Sequence, residues 1–383
     1  MCGLSAGIFW ATEGGVAIAY PEPERRGRSI SIWLILNQFG SIIGGSINLA
    51  LNVKTDGAGG VGVNTYAVFV SLQCLGPFVA YLLSSPDKVQ RRDGQPVKIS
   101  SNNSFLDEVK ATLKVWARPH TLILTLVFIQ CSWGGAVTGT YVSTSFRSSH
   151  VPHNPAHHTD YPHSAPCAQL TNYFSVRARS LSSLVITLIC WLIFYPFGRF
   201  LDWQRYSIRA RATTSAAVLF VWLAVGWIWW FTNLVQFSRQ EPAPVFDWTT
   251  PGWGNAWFSY VMYSLPQQLL YNWLFWVVSF LSAPGEGEDH VRYVGIMRSA
   301  ESLSQCLSFA VSATAVPQIR ASAVNLALFA VSIPAVTHTV WYISKRDKAG
   351  ILAQTVHGEQ ASPKTLVGSE SPDQRSLKDE KSE

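Results

Sequence analysis

The sequence predicts an all-α fold that crosses a membrane about nine times. Three observations carry that reading. Only 14% of the 383 residues are charged, where ordinary soluble domains have about 25%, and 48% are hydrophobic, including 16 Trp and 20 Phe. Nine segments reach the roughly 20 mostly apolar residues that span a hydrocarbon core about 30 Å thick. The basic residues also fall unevenly between the connecting loops. Mean hydropathy is only +0.16, because long polar loops and a polar tail dilute the apolar segments.

The segments are 3–20, 29–51, 63–84, 120–142, 180–198, 212–232, 254–281, 293–315 and 321–343. Each is expected to be helical, since in lipid only helices and closed barrels satisfy every backbone polar group. Barrel strands would alternate polar and apolar residues over about ten positions, and these segments do not.

Segment 3–20 is an apolar run with Glu13 at its centre. It ends at Pro21 and is followed by Arg25, Arg26 and Arg28. It lacks the positive lead and small-residue cleavage site of a signal peptide. Segment 29–51 carries Gly40 and Gly44, and Ser41 and Gly45, at the four-residue spacing that lets helix backbones approach closely. Its Asn37, Gln38 and Asn48 either join that packing or face a substrate path.

The Gly-rich stretch 56–62 is a turn before segment 63–84. The polar, basic stretch 85–119 reads as a linker between two bundles, with a surface helix at Phe105–Ala117. Residues 147–169 hold five of the nine histidines and four prolines. Such a tract can bind metal, can be a disordered loop, or can be foreign to the fold; no metal site is assigned to it. In segment 254–281, Pro266 precedes Gln267 and Gln268. Proline frees a carbonyl and kinks a helix, and interrupted helices often line transporter sites. An interfacial belt is expected to explain most of the tryptophans at 222, 227, 229, 230, 253 and 257. The tail 344–383 is charged and expected to be disordered.

Placing the exit at Pro21 on the cytosolic side and alternating from there puts most of the 29 Lys and Arg in inner loops and the tail. The opposite loops hold Lys54, Arg147, Arg177, Arg179, Arg239 and Arg320. By the positive-inside rule the N-terminus is then outside and the C-terminus cytosolic. The net charge of +6 is thus a topology signal, and no nucleic-acid partner is expected. The six cysteines show no paired or metal-type spacing and read as small, mostly buried residues.

Ionisable residues within spans are the leading candidates for function, because charge at mid-bilayer is costly. Glu13 is either a proton or cation site facing a cavity or a group that ties helices together. Arg298 and Glu301 are three residues apart on one helix face and can pair. His338 lies near the inner end of the last span. No phosphate loop, GxSxG, HExxH or paired-carboxylate signature is present, so neither an enzyme nor a cofactor is expected.

Four strings then carry a resemblance. They are GLSAGIFWATEGGVAIAYPEPERRGRSISIW (3–33), NQFGSIIGGSINLALN (37–52), NTYAVFVSLQCLGPFVAYLL (64–83) and NYFSVRARSLSSLVITLICWLIFYPFGRFLD (172–202). Together they resemble the fungal uncoordinated-93-like proteins of the major facilitator superfamily. Gly198, Asp202 and Arg205 resemble that superfamily's loop signature, which braces neighbouring helices on the cytosolic side. The resemblance covers 3–345 apart from 147–169.

The resemblance implies a partial major-facilitator fold, since family members have twelve helices. Residues 1–84 would be three spans of a first bundle, 85–119 the linker and 120–343 the second bundle of six. The first segment matches the family's fourth helix, so three helices are expected to be missing and transport by this chain alone impaired. The implied function is movement of a small solute by alternating access. The alternative is an accessory membrane protein that regulates a channel or the trafficking of a partner. The partners expected are the bilayer, an unknown solute and, for the alternative, another membrane protein.

Overall fold

Eight of the nine predicted spans are helices in the computed structural model. It describes residues 2–53, 104–142, 173–240, 244–281, 289–313 and 318–348, with a few more between 67 and 88. Most of the predicted span 63–84, the tract 147–169 and the tail beyond 348 lie outside the described residues.

The helices are α1 (Cys2–Ala19), α2 (Arg26–Asn52), α3 (Phe105–Trp116), α4 (Pro119–Val142), α5 (Val176–Leu201), α6 (Ile208–Phe237), α7 (Trp253–Val278), α8 (Asp289–Ala313) and α9 (Gln318–Lys348). Among the described residues the structure is helical apart from a single bridge between Phe174 and Phe246. Four of the helices, α2, α5, α6 and α9, are long and apolar enough to cross a membrane by length and composition alone. α7 and α8 carry more polar groups; much of α7 is buried inside the bundle.

Local chemistry sets several helix ends. Ser175 caps α5 by accepting from the Ala178 N–H, and Ser207 caps α6 by accepting from Ala210 N–H, each satisfying one of the donors a helix start leaves free. The last turn of α9 holds Lys345, Arg346 and Lys348, where positive charge complements the helix dipole. α9 therefore runs past the predicted boundary at 343.

The helices pair in a pattern with internal order. α4 packs on α8 and α9, α7 packs on α5 and α6, and α6 packs on α9. Exchanging α4, α5, α6 for α7, α8, α9 maps α4–α8 onto α7–α5 and α4–α9 onto α7–α6, and leaves α6–α9 unchanged. With each of the six helices taken as one crossing, the exchanged helices are three crossings apart and would run in opposite directions, as inverted repeats do. Outside this set of six, α2 lies along α5 and α1 along α8, and the same exchange relates those two dockings.

Two expectations change. α7 is continuous through Pro266, which is buried within it, so the predicted interruption is absent. Neighbouring helices hold the proline in place and no segment unwinds. Trp227 and Trp230 are not in an interfacial belt: both are 0% exposed. Trp227 packs on Trp230 at 5.2 Å and on Tyr263 at 4.7 Å between ring centres. Gly226 lets this happen, since a Cβ there would come within 2.6 Å of the Met262 carbonyl oxygen. Trp229 does reach outward, donating to the side chain of Asn255 at 2.9 Å. Of the cysteines, Cys131 and Cys190 are buried, whereas Cys74 and Cys306 are exposed.

Candidate functional site

A cluster of charged and aromatic groups forms where α1 and α2 meet α7 and α8. α1 comes close because Gly14 faces α8: a Cβ there would lie 2.7 Å from Val294 Cγ1 and 3.4 Å from Phe275. That approach brings the neighbouring Glu13 into the junction. Its Oε1 accepts a hydrogen bond from the Trp33 indole N–H of α2. Trp33 in turn packs edge-on against Phe275 of α7 at 5.0 Å.

Arg298 of α8 is the centre of the cluster and only 8% exposed. Its Nη1 donates to Glu301 Oε2 at 2.9 Å and also to the Tyr271 oxygen. The Tyr271 hydroxyl donates to Glu301 Oε2 at 2.9 Å. Around the guanidinium stand Trp10 at 4.8 Å, Phe275 at 5.3 Å, and Trp33 and Tyr271 each at 5.6 Å from ring centre. A cation gains from the negative ring faces, and gains more when desolvated. The junction thus holds two carboxylates and one guanidinium. Among the described residues, the buried Glu13 Oε2 and Arg298 Nε have no hydrogen-bond partner.

Glu13, Arg298 and Glu301 are therefore brought together. The other candidates lie elsewhere. Asn37 is exposed and Gln38 half-buried on α2, one turn and more beyond Trp33. Gln267 donates to the Cys131 carbonyl of α4, so it ties α7 to α4; Gln268 is half-buried beside it. Trp10, Trp33, Tyr271 and Phe275 were missed by charge-based reasoning. Tyr271 and Phe275 share a helix face at the i, i+4 spacing, which was the available signal for half of the cage. Asn272 adds a buried link to α2, donating to Ser31 Oγ at 2.8 Å.

One end of α5 is clamped to α2 by the predicted loop signature. Asp202 Oδ1 accepts from the Gly27 N–H and Oδ2 from the Arg28 N–H, both at 2.8 Å. These are first-turn donors of α2, which suit an anion. Arg28 Nε adds a contact to Oδ2 at 3.3 Å. Gly27 and Gly198 permit this crossing: a Cβ on Gly198 would fall 2.6 Å from the Gly27 carbonyl oxygen. Burial pushes the Asp202 carboxyl above its ordinary value, opposed by the Arg28 and Gly27 N–H groups. Arg205 is exposed and outside the clamp.

The opposite end of α5 has its own carboxylate. Asp247 accepts from Arg177 Nε at 2.8 Å and Nη2 at 2.6 Å, and from Ser175 Oγ at 2.6 Å. The paired Arg177 guanidinium, with help from the Ser175 and Thr249 donors, holds this carboxyl well below its ordinary range. Among the described residues no group of three or more His, Cys, Asp or Glu could hold a metal ion.

No protein-family model and no solved structure matches the chain. Similar proteins are found among curated sequences. Notoamide biosynthesis cluster protein O' of Aspergillus versicolor is 33% identical over 332 residues, which is 86% of this chain and 65% of that protein. An UNC93-like protein of Schizosaccharomyces pombe is 25% identical over 354 residues, covering 91% of this chain and 64% of that one. UNC93-like protein 1 of Arabidopsis thaliana is 22% identical over 350 residues, or 91% and 70%. The chain thus spans a little under two thirds of the two fungal relatives. Matches along most of its length to UNC93-like proteins of a fungus and a plant support membership of this chain in the UNC93-like membrane proteins.

Proposed function

We propose that this protein belongs to a transporter that moves a small solute by alternating access, with the Glu13–Arg298–Tyr271–Glu301 cluster on the solute path. The observation that carries the reading is the place of the cluster. It lies where α1 and α2 dock on the inverted-repeat set α4–α9, and transporters with such repeats bind their substrates near mid-membrane at the repeat interface. Buried charges with unfilled hydrogen-bond capacity at such a junction favour a ligand-handling role over packing alone. The reading assigns a major-facilitator architecture, with the Asp202 clamp on the cytosolic side.

The test is uptake by proteoliposomes offered a small-molecule extract of cells, with the luminal contents read by mass spectrometry. Wild-type protein is expected to enrich at least one solute over empty vesicles. Arg298→Gln and Glu13→Gln are expected to reduce that enrichment at least about tenfold, the equivalent of 1.4 kcal/mol. Lumens identical to those of empty vesicles would refute transport. If a co-purifying membrane protein were lost from Glu13→Gln at the same time, the accessory role would replace it.

A further inference from the structure

α3 is a helix with three distinct faces. At 3.6 residues per turn, Glu108, Ala111, Thr112 and Val115 share one side, and all four are buried or half-buried. Phe105, Leu106, Val109, Leu113 and Trp116 form a second side, each between 39% and 81% exposed. Asp107, Lys110 and Lys114 form the third, and all are exposed.

The first face is fastened, so the other two have fixed directions. Arg292 of α8 donates from Nε to Glu108 Oε1 at 2.8 Å and from Nη2 to Oε2 at 3.0 Å. The same guanidinium holds Asp289 at 3.0 Å, and Arg118 holds Asp289 at 2.9 Å. A bidentate pair of this kind sets orientation as well as distance. α3 cannot roll its apolar side inward without breaking it.

Two residues, Ala117 and Arg118, join α3 to α4. On α4, Leu122 is 43% and Leu126 41% exposed. The exposed apolar surface of α3 therefore continues onto an apolar helix that starts the next crossing. In water a patch of this size would be an association liability. At the edge of a bilayer, an apolar face beside a lysine-bearing face is the pattern of a helix lying in the interface.

We propose that α3 is a membrane-surface helix whose Phe105–Val109–Leu113–Trp116 face is seated in the lipid leaflet next to α4. Lys110 and Lys114 then point to the aqueous headgroup layer, and the Glu108–Arg292 pair fastens the lipid-bound helix to α8. The occupant of the apolar face is lipid, not protein.

The experiment places a photoreactive benzophenone side chain at position 105, 109 or 110, one per chain, in the full chain in membranes. After irradiation, adducts are identified by mass spectrometry of the α3 peptide. Lipid adducts are expected at 105 and 109, with several-fold fewer at 110. Cross-links from 105 and 109 to protein, whether this chain or another, would overturn the proposal. So would equal lipid labelling at all three positions, or none at 105 and 109.

Discussion

Single residues show how closely these helices approach. Gly198 sits where a Cβ would be 2.3 Å from Ser31 Oγ, whereas Gly40 has nothing within 4 Å. The two glycines should therefore respond to alanine with opposite signs. Gly198→Ala is expected to destabilise the protein by about 1–3 kcal/mol through overpacking. Gly40→Ala is expected to be neutral or to stabilise by up to about 1 kcal/mol, since glycine in a helix interior carries an entropic cost. Thermal unfolding of the two variants in one detergent measures both.

The Asp247 clamp makes a prediction in pH at the same scale. Its folded carboxyl titrates below the unfolded value, so its stabilisation is complete above about pH 4 and is lost as pH falls through and below that value. Asp247→Asn should lower the unfolding temperature at neutral pH. The gap between wild type and variant should then narrow as the pH drops below about 4. A gap that stays constant across that range would mean that Arg177 does not stabilise the carboxylate form.

Between elements, a tight glycine contact against backbone joins α6 and α7. Gly226 lies under the Met262 carbonyl and Tyr263 Cα, which a Cβ would approach to 2.6 and 2.9 Å. Backbone cannot yield as a flexible side chain can. Gly226→Ala is expected to cost about 1–3 kcal/mol and to expose the Trp227–Trp230–Tyr263 stack, which a blue-to-red shift in tryptophan emission would report. Gly254, with open space around it, is the control.

The elements themselves were largely legible, because a span announces itself through some twenty apolar residues, and Pro21 marked the end of the first; the caps Ser175 and Ser207 lie ahead of the predicted starts at 180 and 212 and were not read. The Arg298–Glu301 pair was legible from its i, i+3 spacing, and the Asp202 clamp from its resemblance to a known signature. Other features were not. Trp227 and Trp230 read as interfacial because tryptophan favours interfaces, but tight α6–α7 packing buries them. Pro266 read as a kink and a hint of an interrupted helix because proline frees a carbonyl, but α7 runs through it as one helix. The cage around Arg298 joins residues from 10 to 298, and a single sequence gives no measure of such distant contacts.

At the scale of the molecule, α5 is a strut held at both ends by carboxylates, Asp247 at one and Asp202 at the other. Between α1 and α2 on one side and α7 and α8 on the other lies the charged cluster. Alternating access requires one such end to part while the other closes. On the proposed alternating-access reading, the Asp202–Gly27–Arg28 clamp is the contact that would open, since it joins α2 to α5 across that junction.

The most direct test locks that end. Arg28→Cys and Trp203→Cys would be combined in a chain whose exposed Cys74 and Cys306 are replaced by serine, and bridged with a short bismaleimide. Uptake of cell-extract solutes into proteoliposomes would then be compared before and after bridging. The account predicts that the unbridged protein accumulates solute and that the bridged protein falls to the level of empty vesicles. Undiminished uptake by the fully bridged protein would contradict it.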